Sequence, residues 1–253
     1  MLHLQNIQKS FHSNTLNELS LFNDFNLNIR EGEFVVVVGS NGSGKSSLLN
    51  LIDGQLEMDS GKIVFMNQDI SHQPSFKRRQ LISRVYQDPS LGTSPSLTIF
   101  ENMSLALNKG KSYSLTRCVQ DSKKEVITHY VSLLNLGLEE KLDVKVSWLS
   151  GGQRQALSLL MAVCSQPKLL LLDEHTAALD PKTSHHMMKL TKKLVEDFKM
   201  TTLMITHQLK DALDYGDRCV MLHEGSIVLD VIDEQKQHLQ PKDLLTLFHS
   251  LSL

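Results

Sequence analysis

The distribution of apolar positions along the chain predicts both strands and helices. Residues 2–7 and 25–29 alternate apolar and polar side chains, which is typical of strands with one exposed face. Residues 34–38 are continuously apolar and rich in valine, which predicts a strand buried on both faces of a parallel sheet. Residues 9–13, between the first two strands, are predicted to be a loop that carries one aromatic ring. A small antiparallel layer beside a parallel core is therefore expected.

The apolar pattern after residue 38 predicts further strands and helices. Further strands are predicted at residues 63–66, 169–172, 201–206, 219–222 and 226–229, the last two as a hairpin. Helices are predicted at residues 47–52, from 97 until a break at 109–114, and at 118–136, 153–165, 181–198 and 241–251. Residues 59–62 are predicted as a turn and residues 90–96 as a flexible connection. This order indicates an α/β core, residues 1–87 and 153–253, with an inserted helical subdomain at residues 88–152.

Composition is that of an ordinary soluble globular protein able to bury a sizeable core. The chain has 253 residues, of which 41% are hydrophobic and 21% charged, and a formal net charge of −2. Nucleic acid is therefore not expected as the main partner, and the basic run at residues 77–79 is predicted to be a solvated helix face. Cys118, Cys164 and Cys219 lie far apart, which argues against a disulfide framework or zinc site and favours a reducing compartment.

The sequence shows neither an apolar run long enough to span a bilayer nor a signal peptide at residues 1–5. We therefore expect a cytosolic protein, whose association with a membrane would have to come through a partner.

Residues 39–46 match the phosphate-binding pattern of glycine, four residues, and Gly-Lys-Ser. Its glycines allow backbone N–H groups to point at a phosphate, and the following helix adds its positive end. Lys45 would supply a full charge to the outer phosphates, and the Ser46 hydroxyl would ligate Mg²⁺. The alternative is a glycine-rich turn that matches by chance. The strand before the loop and the helix after it favour nucleotide binding.

Two further groups of residues point to the same chemistry. Asp173 and Glu174 end the predicted strand at residues 169–172, where open α/β sheets place their ligand sites. Asp173 could hold Mg²⁺ and Glu174 could polarise a water, although acidic capping of a helix is the plain alternative. Residues 150–152, Ser-Gly-Gly, open a helix and offer a second anion site, or else a simple turn. One triphosphate would not contact both glycine segments of one chain, which suggests a nucleotide shared between two copies.

The chain resembles the ATP-binding subunits of ATP-binding-cassette (ABC) transporters over essentially its full length. The resemblance is carried, in the family's order and spacing, by the glycine loop, Gln87, residues 149–153, residues 169–174, residues 176–180 and His207. It implies a P-loop NTPase core of the RecA-like type, with an antiparallel β subdomain and an inserted α-helical subdomain. It also implies ATP and Mg²⁺ as cofactors.

The resemblance implies a role for each matching residue. The nucleotide-binding residues would be Phe11, Ser40, Asn41, Gly42, Ser43, Gly44, Lys45, Ser46 and Ser47. The signature residues that contact ATP held by a partner subunit would be Leu149, Ser150, Gly151, Gly152 and Gln153. The Mg²⁺ ligands would be Ser46, Gln87 and Asp173.

For catalysis the resemblance implies that Glu174 is the general base, that His207 holds the γ-phosphate, and that Gln87 contacts Mg²⁺ and the attacking water. Asp180 would bridge the two subunits, and Phe11 would stack on adenine. For Phe11 the rival interpretation is an aromatic ring of the core or surface.

The departures from the family pattern refine the prediction. His175 stands where many members have proline, which we expect to change only local stiffness. Residues 144–147 lack the glutamate-and-glycine pattern by which a chain resembles exporters. The absence of that pattern favours a bacterial importer. Residues 86–89, 92–93, 96–99 and 173–176 are similar to an importer subgroup of which some members are assigned to aromatic amino acids of the tryptophan and tyrosine type.

The resemblance thus implies the ATP-hydrolysing motor subunit of an importer, working as a homodimer or a pair of like subunits on transmembrane permease subunits. An extracytoplasmic substrate-binding protein would belong to the same system, with no direct contact to nucleic acid. The subunit would lie at the cytoplasmic face of the inner membrane. The alternatives are an exporter, a lipid or lipoprotein extraction system, a non-transport cassette acting on DNA or ribosomes, and a regulatory module that binds nucleotide without hydrolysing it.

Overall fold

A computed structural model describes residues 1–12, 18–111 and 118–251. The strands are β1 (Leu2–Phe11), β2 (Leu19–Ile29), β3 (Phe34–Gly39), β4 (Ser60–Phe65), β5 (Gln68–Asp69), β6 (Ile82–Val85), β7 (Leu169–Asp173), β8 (Thr201–Ile205), β9 (Arg218–His223) and β10 (Ser226–Ile232). The α-helices are α1 (Lys45–Asp53), α2 (Ser75–Arg78), α3 (Ile99–Asn108), α4 (Lys124–Ser132), α5 (Gly151–Cys164), α6 (Pro181–Asp197), α7 (Leu209–Asp214), α8 (Asp233–Lys236) and α9 (Pro241–Leu251).

The chain divides into two compact units, of which the first comprises Met1–Arg79 and Met200–Leu253. In this unit β2, β1, β4 and β5 form an antiparallel sheet in that order. In a second sheet of the same unit, β3 pairs in parallel with both β8 and β9, and β10 adds to β9 as an antiparallel edge. The side chains of Val35, Val36, Val37 and Val38 are fully buried, as the continuous apolar run predicts.

The second unit, Gln80–Lys199, holds the parallel pair β6 and β7 together with helices α3 to α6. Helices α3, α4 and α6 pack against α5. The interior is formed by fully buried aliphatic side chains, among them Ile127, Val131, Leu134 and Leu160. The mixture of parallel and antiparallel sheets with flanking helices confirms the predicted α/β class. The predicted subdomain boundaries at residues 88–152 stay a prediction.

The predicted loop at residues 9–13 is wrong for its first part. Residues 9–11 are the last residues of β1, which runs to Phe11, while residue 13 lies outside the described part of the chain. Irregular register between β1 and its neighbours interrupts the alternation of buried and exposed side chains, so the strand loses its period of two. The turn predicted at residues 59–62 is also wrong for most of its length, because β4 already begins at Ser60.

Helix boundaries differ most from prediction between residues 118 and 136. The α-helix there spans only Lys124–Ser132 and is preceded by a 3₁₀ turn at Asp121–Lys123. The helical spacing places Val126 on the same apolar side as Ile127 and Val131, but Val126 is 51% exposed whereas the other two are fully buried. Residues 90–96, predicted as a flexible connection, begin within a 3₁₀ turn at Pro89–Leu91. The short elements β5, β6, α7 and α8 were not predicted, because each is too short to show a period.

The basic run at residues 77–79 is not a solvated helix face throughout. Arg78 is only 5% exposed, and its Nη1 donates to the carbonyl oxygens of Leu51 at 2.7 Å and Ile52 at 3.2 Å. Two further backbone carbonyls accept from the same guanidinium. These carbonyls include the free ends of α1, so Arg78 satisfies groups that would otherwise be buried without donors.

Among the described residues, no helix combines the length and the apolar character that crossing a membrane requires.

Candidate functional site

The glycine loop joins the end of β3 at Gly39 to the start of α1 at Lys45. Gly42 and Gly44 have φ angles of 80° and 100°, a backbone conformation that residues with a Cβ atom rarely adopt. A Cβ atom on Gly44 would also lie 2.9 Å from the Phe22 ring. The glycines are therefore required by the shape of the loop as well as by any ligand.

Lys45 is 5% exposed, and its Nζ donates to the carbonyl oxygens of Gly39 and Ser40, both at 2.8 Å. These two bonds hold the ammonium inside the curve of the loop. The Ser43 hydroxyl oxygen is buried there and has no hydrogen-bond partner in the described part of the chain. A loop that combines a buried cation, a hydroxyl without a partner and backbone amides fits an anionic phosphate chain.

The hairpin between β9 and β10 supports this loop from within the first unit. The Gly225 N–H donates to the Ser43 carbonyl oxygen at 3.1 Å, and Gly225 has a φ of 73°. A Cβ atom at this position would overlap the Leu21 carbonyl oxygen. Sequence reasoning identified the hairpin but not its contact with the loop. The His-Glu-Gly turn indicates a tight hairpin, but nothing in its sequence indicates a contact with the glycine loop.

His207 follows β8 and is exposed, and the structure places it in the same unit as the glycine loop. A cavity of about 240 Å³ lies beside it, lined by Val38, Gly39, Ser40, His207, Leu209, Leu245 and Phe248. The carboxyl-terminal helix α9, for which the sequence suggested no role, therefore contributes apolar side chains next to His207 and the loop.

Parallel pairing in the second unit brings two predicted groups to one edge of a sheet. Val85 of β6 is paired with Leu172 of β7, so Gln87 and the pair Asp173 and Glu174 follow neighbouring strand ends. Gln87 is exposed and Asp173 is half-buried. Both side chains therefore lie where open α/β sheets bind ligands.

Sequence reasoning missed Arg84, which contacts Asp173 directly. Its Nη2 donates to Asp173 Oδ2 at 2.6 Å, and both side chains are largely buried. The Tyr86 ring centroid lies 4.9 Å from the guanidinium carbon. The one feature of the sequence that could have indicated this contact is that Arg84 is the single charged residue of β6. Arg84 orients the carboxylate that is the predicted Mg²⁺ ligand.

Glu174 begins the turn that follows β7, with a φ of 47° and its carbonyl oxygen accepting from the Ala177 N–H at 2.9 Å. The next residue, His175, is 2% exposed, and its Nε2 lies 2.9 Å from Thr191 Oγ1. Burial lowers the pKa of His175 to about 4. The imidazole is therefore neutral in the folded protein at physiological pH.

Helix α5 begins with a reciprocal capping box at the predicted signature segment. Ser150 Oγ accepts from the Gln153 N–H at 3.2 Å, and Gln153 Oε1 accepts from the Ser150 N–H at 3.1 Å. A Cβ atom at Gly151 would meet nothing within 4 Å, whereas one at Gly152 would lie 2.7 Å from Thr183 Cγ2. The helix therefore presents an open, amide-rich start, and it begins at Gly151 rather than at residue 153.

Asp180 caps helix α6. Its Oδ1 accepts from the backbone N–H groups of Lys182 and Thr183, both at 3.1 Å. The pKa of Asp180 is lowered by hydrogen bonds from Thr183, of which the one from the side chain has the largest effect and the one from the backbone N–H the next largest. Within one chain Asp180 therefore acts as a helix cap, and its predicted bridging of two subunits stays a prediction.

Phe11 is the last residue of β1 in the first unit, and Lys9 Nζ lies 5.7 Å from its ring centroid.

Among the described residues, no group of three or more His, Cys, Asp or Glu side chains could hold a metal ion. The predicted Mg²⁺ ligands Ser46, Gln87 and Asp173 offer hydroxyl, amide and carboxylate oxygens. Such oxygen ligands suit Mg²⁺.

Residues 22–177 match the family model described as ABC transporter. The chain belongs to the ABC transporter family. It is 50% identical over 248 residues to a tyrosine transport ATP-binding protein of Clostridioides difficile strain R20291, covering 98% of both chains. It is 38% identical over 230 residues to the spermidine/putrescine import ATP-binding protein PotA of Haemophilus influenzae, covering 91% of this chain and 57% of that protein.

Solved structures agree with this family assignment. A dimeric ATP-binding cassette in a post-hydrolysis state with ADP and Pi aligns with a TM-score of 0.78 at 29% identity, covering 92% of this chain and 98% of that one. The cbiO1 protein of Clostridium perfringens, part of the ABC transporter complex cbiONQ, aligns with a TM-score of 0.77 at 26% identity, covering 97% and 90%. This ABC family member is thus an ATP-binding ATPase with a P-loop NTPase fold, as predicted. The 50% identity also confirms its resemblance to the amino-acid uptake subgroup.

Proposed function

We propose that this ABC ATPase is the motor subunit of a bacterial importer for amino acids of the aromatic type. Support comes from its 50% identity to a tyrosine transport ATP-binding protein and its 38% identity to a spermidine/putrescine import protein. The observation that carries the ATP-binding part of the proposal is the glycine loop, in which a buried Lys45 ammonium and glycine backbone bends form a cradle for phosphate.

ATP is bound by the loop residues from Ser40 to Ser47, and Phe11 stacks on the adenine. When bound, Mg²⁺ neutralises charge that develops on the phosphates. The residues that would hold it are Ser46, Gln87 and Asp173. Arg84 keeps the Asp173 carboxylate in a fixed orientation through the 2.6 Å ion pair.

Hydrolysis needs a base and groups that position the attacking water. Glu174 accepts a proton from that water, Gln87 orients it, and His207 holds the γ-phosphate. The exposed position of His207 beside a cavity that reaches the glycine loop supports its role.

Two copies of the chain share each nucleotide. The open start of α5 at Ser150 and Gly151 would donate N–H groups to the γ-phosphate held by the other copy, and Asp180 would bridge the two. Closure would move the helical subdomain, residues 88–152, against the core. The segment around Gln87 and residues 91–99 would then pull on permease subunits at the cytoplasmic face of the membrane.

Replacing the proposed base tests the catalytic assignment. Glu174→Gln removes the proton acceptor but keeps the shape of the side chain, so ATP binding is retained and turnover falls by about a hundredfold or more. The matched control is Glu140→Gln, because Glu140 is exposed and lies in the same unit. Steady-state phosphate release and fluorescent-nucleotide binding measure the two quantities. Unimpaired hydrolysis by Glu174→Gln would remove Glu174 from the mechanism.

The transport assignment is tested by co-purification. An affinity-tagged chain extracted from membranes in mild detergent should retain integral membrane subunits, and an extracytoplasmic binding protein should be required for uptake. Membrane subunits without such a binding protein would indicate an exporter or an extraction system. Recovery of nucleic acid or ribosomes in place of membrane subunits would indicate a non-transport cassette.

A further inference from the structure

The backbone at Glu174 adopts a conformation that glutamate rarely adopts by itself. Its φ of 47° lies in the left-handed region, which is unfavourable for residues with a long side chain. Such a conformation persists only where neighbouring contacts hold it. One contact is the hydrogen bond from the Ala177 N–H to the Glu174 carbonyl oxygen at 2.9 Å.

The second contact is made by the side chain that follows. His175 is buried, and its Nε2 lies 2.9 Å from Thr191 Oγ1. The Thr191 hydroxyl in turn donates to the Met187 carbonyl oxygen at 2.9 Å. A hydroxyl has a single proton, so Thr191 must accept from His175, and the imidazole therefore carries its proton on Nε2.

This chain of hydrogen bonds joins the turn after β7 to the middle of α6. Thr191 is fully buried and lies on a 17-residue helix whose first turn is capped by Asp180. The helix is a rigid support, and the imidazole cannot rotate without leaving a buried N–H group without an acceptor. The turn that carries Glu174 is thus fixed from a distance of sixteen residues along the chain.

We propose that His175 is a positioning residue for hydrolysis: held by Thr191, its ring fixes the backbone of Glu174 in the left-handed conformation that aims the general base. This proposal rests on the proposed function, because it requires Glu174 to act as the base. It replaces the expectation that His175 changes only local stiffness.

Thr191→Val is the sharpest variant, because it removes the hydroxyl and keeps the side-chain shape. Thr191→Ser keeps the hydroxyl, and His175→Phe keeps a ring without a donor. Thr202→Val is the matched control, because Thr202 is also fully buried and its hydroxyl donates to a backbone carbonyl in the other unit.

Three measurements on the full-length chain separate positioning from general destabilisation. Steady-state hydrolysis gives kcat and KM per folded molecule, fluorescent-nucleotide binding gives the affinity for ATP, and hydrogen exchange follows the Ala177 amide. We expect Thr191→Val and His175→Phe to lower kcat by about tenfold or more, because a small misplacement of the base is costly. KM and ATP affinity should stay within about twofold, and exchange at Ala177 should accelerate.

Thr191→Ser should restore kcat, and Thr202→Val should leave kcat and Ala177 exchange at wild-type values. Combining Thr191→Val with His175→Phe should add nothing to the loss of kcat, because both changes break one contact. The proposal is overturned if folded Thr191→Val or His175→Phe keeps wild-type kcat, or if Thr202→Val loses kcat to the same extent. If wild type and Glu174→Gln hydrolyse ATP equally, the proposed function fails instead, independently of these variants.

Discussion

His175 shows, at the scale of one residue, how burial couples stability to pH. Desolvation lowers its pKa in the folded protein from 6.5 to about 4, whereas the unfolded chain takes up the proton near the ordinary value. Between these two values the unfolded state binds more protons than the folded state. Stability is therefore full above pH 6.5 and declines as pH falls towards 4.

We predict that the free energy of unfolding falls across this pH window and that His175→Phe removes part of the fall. The His175 contribution amounts to about 3 kcal/mol when the window is crossed completely, from about 1.4 kcal/mol per pK unit. Urea denaturation of both proteins at a series of pH values measures it. An identical pH dependence in wild type and variant would show that His175 is not neutral and buried in solution.

Phe11 is the residue for which the sequence left two interpretations open. If its ring stacks on adenine, Phe11→Ala should weaken ATP binding by about three- to tenfold, and Phe11→Trp should preserve it. Phe76→Ala is the matched control, because that ring is 65% exposed and lies in the same unit. Normal ATP affinity in Phe11→Ala would leave the ring as an ordinary surface aromatic.

At the scale of elements, the hairpin of β9 and β10 supports the glycine loop, and this contact could not be predicted from the sequence. Its turn residue Gly225 donates to the Ser43 carbonyl oxygen, and its backbone approaches Leu21 too closely for a side chain. Gly32 offers a comparison within the same unit. It has a similar φ of 75°, but a Cβ atom there would meet nothing within 4 Å.

We predict that Gly225→Ala costs more than about 3 kcal/mol of stability, whereas Gly32→Ala costs about 1 kcal/mol from its backbone conformation alone. Gly225→Ala should also weaken ATP binding, since the glycine loop loses a supporting contact. Thermal unfolding and nucleotide titration of both variants check this. Equal costs at the two glycines would mean that the hairpin does not press against Leu21.

The elements that sequence reasoning predicted well are those whose pattern is set by burial alone. β3 and β7 are continuous apolar runs, and the glycine loop between β3 and α1 has few alternative meanings. The errors arose where tertiary contacts override local pattern. The end of β1 is obscured by bulges, and Arg78 is buried because it caps α1 with its guanidinium, which no charge pattern reveals.

At the scale of the whole molecule, the candidate site residues are divided between two units of the chain. The first unit contains Phe11, the glycine loop and His207, and the second contains Gln87, the start of α5 and the pair Asp173 and Glu174. These candidate positions were all proposed from sequence motifs, and their roles stay predictions. The supporting contacts of Arg84, Gly225 and Thr191 were not proposed, because each joins residues far apart in the chain.

The central claim is that a nucleotide is held between two copies, and the mass of Glu174→Gln in solution tests it most directly. With ATP and Mg²⁺ present, light scattering should give twice the mass of one chain, because ATP binds but is not hydrolysed. Adding Gly151→Glu should return the mass to one chain, since the new carboxylate repels phosphate. That carboxylate has open space and a favourable helix start, so unfolding temperature should not fall. A single-chain mass for Glu174→Gln with ATP, or a dimer unaffected by Gly151→Glu, would contradict the account.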